Sequence, residues 1–209
     1  MNHPTQAGRS VIAIPIFLLL VIAGGYLSRG YFATPEMPVH ATVLPAPAPL
    51  PEFELMNHNG DLFGTDAFKG RWSLVFFGFT NCPDICPVAL QQMVVARRRM
   101  AEANPELKLP DIVFVSVDPG RDSADVLAQY VGGFGSAVTG VRGDPDELRK
   151  LTGAIGIFFA VSPGVDEYSV AHSAAVIVIN ENAEFHALFS APYDIDTFVN
   201  EMPLIIAAK

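Results

Sequence analysis

The stretch Ser73–Phe79 reads Ser-Leu-Val-Phe-Phe-Gly-Phe, a near-continuous apolar run. A half-buried strand alternates apolar and polar residues; a run apolar on both faces marks a strand covered on both sides, at the centre of a sheet. The next residues narrow the fold further. Gly78-Phe79-Thr80-Asn81-Cys82-Pro83-Asp84-Ile85-Cys86-Pro87 leads into a segment in which Leu90, Met93, Val94 and Arg97 recur at helical spacing. That spacing predicts a helix from Pro87 to about Ala103, with Pro87 at the first helical position, where a missing N–H costs nothing. A central strand, a cysteine loop and a helix opening at the second cysteine form a thioredoxin-like layout.

The rest of the chain supports an α/β reading. Phe53–Leu55 and Leu62–Phe63 flank Asn59-Gly60, a pair that favours a hairpin turn. Ile112–Val117 reads as a second buried strand. Asp122 or Ser123 suits the cap of a helix running to Gly132. Val138–Val141 suits a short strand, and Asp144, Pro145 and Glu147 open another helix. Ala174–Ile179 and Glu184–Phe189 read as strands, and Asp194 begins a C-terminal helix. Strands alternating with helices imply a mixed, partly parallel sheet with helices on both faces.

The folded domain is expected to occupy 52–209, behind three other segments. Residues 1–9 form a short tail. Residues 10–28 carry no charge between Arg9 and Arg29; as a helix they span about 28 Å, close to the hydrocarbon thickness of a bilayer. They are expected to form an uncleaved transmembrane anchor, with Tyr26 and Tyr31 near an interface and the short tail left inside. Residues 29–51 hold Pro35, Pro38, Pro45, Pro47, Pro49 and Pro51, and read as an extended spacer. The net charge of −9 with no basic patch argues against nucleic acid as a partner. Gly132, Gly133 and Gly135 come after a predicted helix instead of preceding one, which argues against nucleotide binding.

The chain has two cysteines, Cys82 and Cys86. A disulfide between them would close too small a loop to staple a fold, which points to chemistry. Cys86, at the helix start, is expected to have a depressed thiol pKa, because free N–H groups and the positive helix end favour thiolate. Thiolate is both nucleophile and metal ligand, so redox catalysis and metal binding both fit. His172, just before the Ala174–Ile179 strand, separates them. Thioredoxin-like enzymes carry a proline near that position, facing the dithiol; here the chain has no proline between Pro163 and Pro192. A third ligand in its place makes the set Cys82, Cys86 and His172. Two thiolates and an imidazole suit copper, as Cu(I) or as Cu(II) completed by another donor. Structural zinc prefers four protein ligands. A thiol–disulfide oxidoreductase using Cys82 and Cys86 is the competing reading, and a peroxidase a third.

Gly78 to Pro87, Ser116-Val117-Asp118-Pro119-Gly120-Arg121-Asp122 and Tyr168 to Ser173 together resemble the three motifs of the Sco/SenC family of membrane-anchored copper chaperones. The likeness runs from about Glu52 to the C-terminus. It implies a role in assembling the copper centre of cytochrome c oxidase. The protein would deliver copper to the dinuclear centre of subunit II, or first reduce that centre's cysteines, with subunit II or its assembly factors as partners. It also implies a single-pass inner-membrane protein with its domain on the periplasmic side. The family commonly has aspartate before the ligand histidine. Ala171 stands there in this chain, which removes a side chain that could orient the ring.

Other polar residues carry weaker signals. Asp118 and Arg121 come after a strand on the edge where the cysteine loop emerges, and fit either support for the site or a local ion pair. Asp122 reads as a helix cap and Asp84 as an exposed turn carboxylate. His3, His40, His58 and His186 form no constellation with the cysteines and read as incidental.

Overall fold

The computed structural model describes residues 17–24, 37–162 and 169–207. The chain divides into two units, Met1–Glu36 and Met37–Lys209. In the first, residues 17–24 are helical with exposed side chains. The tail 1–9, the remainder of the expected anchor and residues 29–36 lie outside the described residues. No helix among the described residues is long and apolar enough to cross a membrane.

The second unit contains β1 (Ala41–Pro49), β2 (Glu54–Asn57), β3 (Leu62–Gly64), a 3-10 turn (Thr65–Phe68), β4 (Ser73–Gly78), α1 (Ile85–Ala103), β5 (Asp111–Ser116) and α2 (Ala124–Gly132). It continues with β6 (Val138–Arg142), α3 (Pro145–Ala154), β7 (Phe159–Ser162), β8 (Ser169–His172), β9 (Val176–Ile179), β10 (Glu184–Phe189) and α4 (Ile195–Ala207). Eight of these strands form one sheet in the order β1-β10-β9-β4-β5-β6-β2-β3, and β7 and β8 form a separate hairpin. The central β4, β5 and β6 run parallel. The outer strands are antiparallel to their neighbours.

The apolar run of β4 has the two-sided burial its sequence predicts, and every residue in it is buried. Leu74 and Phe76 join Ile112, Phe114, Val176 and Val178 on one face, under Leu90 and Met93 of α1, Leu127 of α2 and Phe198 of α4. Val75 and Phe77 join Val113, Val115, Ile177 and Ile179 on the other, under Phe68, Leu148 and Leu151. Each fully buried side chain of this kind contributes roughly 1.5–3 kcal/mol over its exposed state, so these two layers hold β4 and the loop leaving it.

Three details differ from the expectations of the sequence. α1 starts at Ile85, two residues before Pro87. Pro87 is still harmless there, because the first four N–H groups of a helix have no intrahelical acceptor. Asp122 does not cap α2; the Ser123 hydroxyl does, accepting from the Val126 N–H at 3.3 Å. The expected spacer 29–51 is corrected at its far end, since Ala41–Pro49 is the edge strand β1, paired with β10. Proline is tolerated on an edge strand, where its missing donor breaks no ladder. The pairing register also breaks between Val43 and Ala48, the interval that holds Pro45 and Pro47.

Candidate metal centre

β4 ends at Gly78, and the chain turns at once, with the Cys82 N–H donating to the Phe79 carbonyl at 3.2 Å. Cys82 is half-buried in this turn, and Cys86, the second residue of α1, is fully buried. They are not joined in a disulfide. Gly78 is what lets Cys86 sit there. A Cβ on Gly78 would lie 2.8 Å from the Cys86 Sγ and 2.8 Å from the Phe114 ring. Asp84, between the cysteines, is exposed and makes no capping bond with its side chain.

The expected depression of the Cys86 thiol is overturned. Burial pushes its pKa well above the ordinary value; the Phe79 backbone opposes this, and the neighbouring Cys82 adds to it. The helix end favours thiolate, but a sulfur sealed between β4 and the Phe114 ring loses far more by leaving water. A metal cation reverses that balance, since a coordinating thiol gives up its proton outright.

The loop is anchored by Asp122, which the sequence suggests as a cap of α2 and the structure turns to this use instead. Its carboxylate is fully buried. It accepts from the Thr80 N–H at 3.0 Å, the Thr80 hydroxyl at 2.6 Å and the Ser116 hydroxyl at 2.5 Å. One side chain thus ties the cysteine loop to the end of β5. A buried carboxylate with three donors is a stable arrangement. The sequence offers one signal for it: Thr80 and Ser116 stand at the ends of adjacent apolar runs. Asp118 is buried and paired with Arg121, whose guanidinium lies 5.7 Å from the Phe79 ring centroid. The local ion pair is therefore present, and its cation packs on the loop.

His172 is placed by its backbone as the last residue of β8, opposite Phe159. The chain then runs through Ser173, whose N–H donates to the Phe158 carbonyl at 3.0 Å, into β9. Val176, the first residue of β9, pairs with Phe76 of β4. His172 therefore enters from the end of the sheet at which the cysteine loop leaves. The structure brings Cys82 and Cys86 together and brings the His172 backbone to their end. Among the described side chains no three of His, Cys, Asp or Glu form a metal-holding group. The donors present do fit a soft ion: two thiols, one of them in a glycine-shaped recess.

The SCO1/SenC family model matches residues 44–206. The chain belongs to the SCO1/SenC family. A SCO2-like protein of Rickettsia felis is 32% identical over 197 residues, covering 90% of this chain and 94% of that protein. A copper-bound Arabidopsis thaliana ScoI structure superposes with a TM-score of 0.72 at 26% identity, covering 78% of this chain and 100% of that one. Copper-bound yeast Sco1 superposes with a TM-score of 0.71 at 26% identity, covering 78% of this chain and 91% of that one. The α/β architecture of this SCO1/SenC domain is thus the thioredoxin-like fold expected from its strand–loop–helix core.

Proposed function

We propose that this SCO1/SenC protein is a copper metallochaperone that binds one copper ion through Cys82, Cys86 and His172. Its recipient is the dinuclear copper centre of cytochrome c oxidase subunit II, reached directly or through an assembly factor. The domain acts on the periplasmic face of the inner membrane, held there by the segment 10–28. The observation that carries this is the pair of neighbouring thiols, one half-buried and one sealed against Gly78, at the sheet end that His172 enters. Two thiolates with an imidazole match copper by softness. The relatives solved with copper bound share the fold. Exposed Ile85 and Val88 border an apolar groove beside the loop, a suitable face for a protein recipient.

The test is copper titration of the reduced full-length chain. One copper per chain is expected, with affinity lost in Cys82→Ser and Cys86→Ser. Loss of a residue that merely orients a ligand costs about 10–100-fold in affinity, so His172→Ala is expected to cost at least that. Unchanged copper affinity in His172→Ala would overturn the three-ligand site. Membrane attachment is checked by fractionation of the full chain beside a variant lacking residues 10–28.

The half-exposed Cys82 beside a buried Cys86 also supports a second reading, thiol–disulfide exchange. Cys82 thiolate would attack a partner disulfide, releasing one partner thiolate and forming a mixed disulfide. Cys86 would then attack Cys82, releasing the second partner thiolate and leaving a Cys82–Cys86 disulfide. Cys86→Ser should trap the mixed disulfide; no trapped species with an oxidised subunit II domain would exclude this route.

A further inference from the structure

Leu127, Tyr130 and Val131 stand at helical spacing on the face of α2 that packs on the sheet. The Tyr130 ring lies on Phe114 of β5, with centroids 5.3 Å apart, and against Phe134 at 5.4 Å. Phe114 in turn borders the cysteines. Its ring edge and the Cys86 Sγ each lie 2.8 Å from the point a Cβ on Gly78 would occupy. Cys82 packs on the same cluster. Through Phe114 the phenol is thus a neighbour of the dithiol. Its hydroxyl is sealed from solvent and has no hydrogen-bond partner. Buried polar groups without partners are rare, and each asks for an explanation. Burial pushes the hydroxyl pKa up, and charge on Cys86, Cys82 and Asp122, in that order, pushes it further. The electrostatic surroundings of this hydroxyl are therefore the cysteine loop and its anchor.

The neighbours narrow what the hydroxyl can bond. The Asp122 carboxylate already accepts from the Thr80 N–H, the Thr80 hydroxyl and the Ser116 hydroxyl. Tyr193 also lies within electrostatic reach of Cys86, but its hydroxyl is committed to the Ala174 carbonyl at 2.8 Å. That leaves the Tyr130 hydroxyl as the uncommitted phenol beside two sulfurs. A neutral thiol is a weak acceptor, whereas an ionised acceptor takes a stronger bond. Metal binding makes that change, because a coordinating thiol gives up its proton.

We propose that Tyr130 is a positioning residue of the metal centre, whose hydroxyl donates to the Cys86 thiolate in the metal-loaded protein and stands unpaired in the metal-free one. The inference rests on the copper reading given above. A donor on a ligating sulfur draws electron density from it. Hydrogen bonding around such a sulfur is one of the levers on copper's redox potential; here it favours Cu(I) over Cu(II).

Tyr130→Phe keeps the ring against Phe114 and Phe134 and removes the hydroxyl alone. In the reduced, metal-free full-length chain it deletes a buried group that has no partner. The Tm should therefore hold or rise, by up to about 2–4 °C. Cu(I) affinity, read by competition with a chromophoric chelator, should fall about tenfold. With Cu(II), the sulfur-to-copper charge-transfer band should move to lower energy, because the sulfur loses the bond that stabilised its electrons. A residue that only fills space would give the reverse, a lower Tm with affinity and band unmoved. Unchanged Cu(I) affinity or an unmoved band in the folded variant overturns the proposal. Should the variant fail to fold, the unaltered chain decides, with its tyrosines labelled with 13C at the hydroxyl-bearing ring carbon. On Cu(I) loading the Tyr130 carbon should shift while that of Tyr193, already bonded, holds; a Tyr130 carbon that stays still overturns the proposal. An unaltered chain that binds no copper overturns the copper reading, and this inference with it.

Discussion

Gly78 and Asp122 shape the cysteine loop from opposite sides, and neither is a ligand. Adding one methyl at Gly78 puts a carbon 2.8 Å from both the Cys86 sulfur and the Phe114 ring, closer than packing allows. Overpacking of this kind costs typically about 1–3 kcal/mol. Gly78→Ala is therefore expected to lose about 1–3 kcal/mol in urea unfolding and to weaken copper binding, because the sulfur must move. A variant with native stability and native copper affinity would show that the recess is not needed. Asp122→Ala leaves the part-buried Thr80 N–H and the buried Ser116 hydroxyl without their acceptor, and loss of the buried one costs about 1–3 kcal/mol. Faster amide hydrogen exchange at Thr80 is the specific readout, since that N–H donates to Asp122; unchanged exchange there would remove Asp122 as the anchor. Glycine and aspartate are ambiguous in a one-dimensional reading. Their roles depend on what lies across the fold, which spacing does not show. The cysteines are legible because their chemistry is carried by two neighbouring residues and the strand and helix around them.

At the scale of elements, the central strands are readable from sequence and β1 is not. β4, β5 and β9 announce themselves by near-continuous apolar runs, since burial on both faces leaves little room for polar residues. β1 is an edge strand rich in proline, and its composition is that of a spacer. What holds it is remote in sequence. Glu201 of α4 accepts from the Val39 N–H at 3.1 Å, the His40 N–H at 2.9 Å and the Ala41 N–H at 2.7 Å, with the His40 Nδ1 at 2.7 Å. Burial acts to raise the Glu201 pKa, but the donors from His40, Ala41 and Val39 outweigh it and hold the group below its ordinary value of 4.5. A carboxylate depressed in the folded state adds stability above its unfolded pKa, and that stability is lost as pH falls through the folded value. The attachment of residues 39–41 is thus complete at neutral pH and weakens below about pH 4.5. Amide exchange at residues 39–41 should accelerate through that acid window while the amides of β4 stay protected. Glu201→Gln should loosen the same residues at neutral pH and flatten their acid response. An acid response unchanged in Glu201→Gln would assign it to another group.

The molecule as a whole presents its expected ligands from two different sheets of one compact unit. Cys82 lies in the turn between the main sheet and the helix packed on it, and Cys86 in that helix, whereas His172 ends a hairpin, β7–β8, that forms a separate two-stranded sheet. A metal held by all three side chains would join the hairpin to the sheet. Metal binding is then a folding contribution as well as a cargo step, because an ion bound only by the native arrangement stabilises it by mass action. At free Cu(I) a thousandfold above the dissociation constant the gain is about 4.1 kcal/mol. For a chain of this length that corresponds to roughly 8–16 °C in Tm. The gain should shrink as pH falls, because the thiols must release protons to bind. The same ion should slow amide exchange within the hairpin at Phe159 and His172, the paired residues nearest the site. His172→Ala separates the two effects: it should retain part of the Tm gain from the thiols but lose the hairpin protection. Hairpin amides that exchange equally with and without copper, in a chain whose Tm still rises, would mean that the two cysteines hold the ion without the histidine.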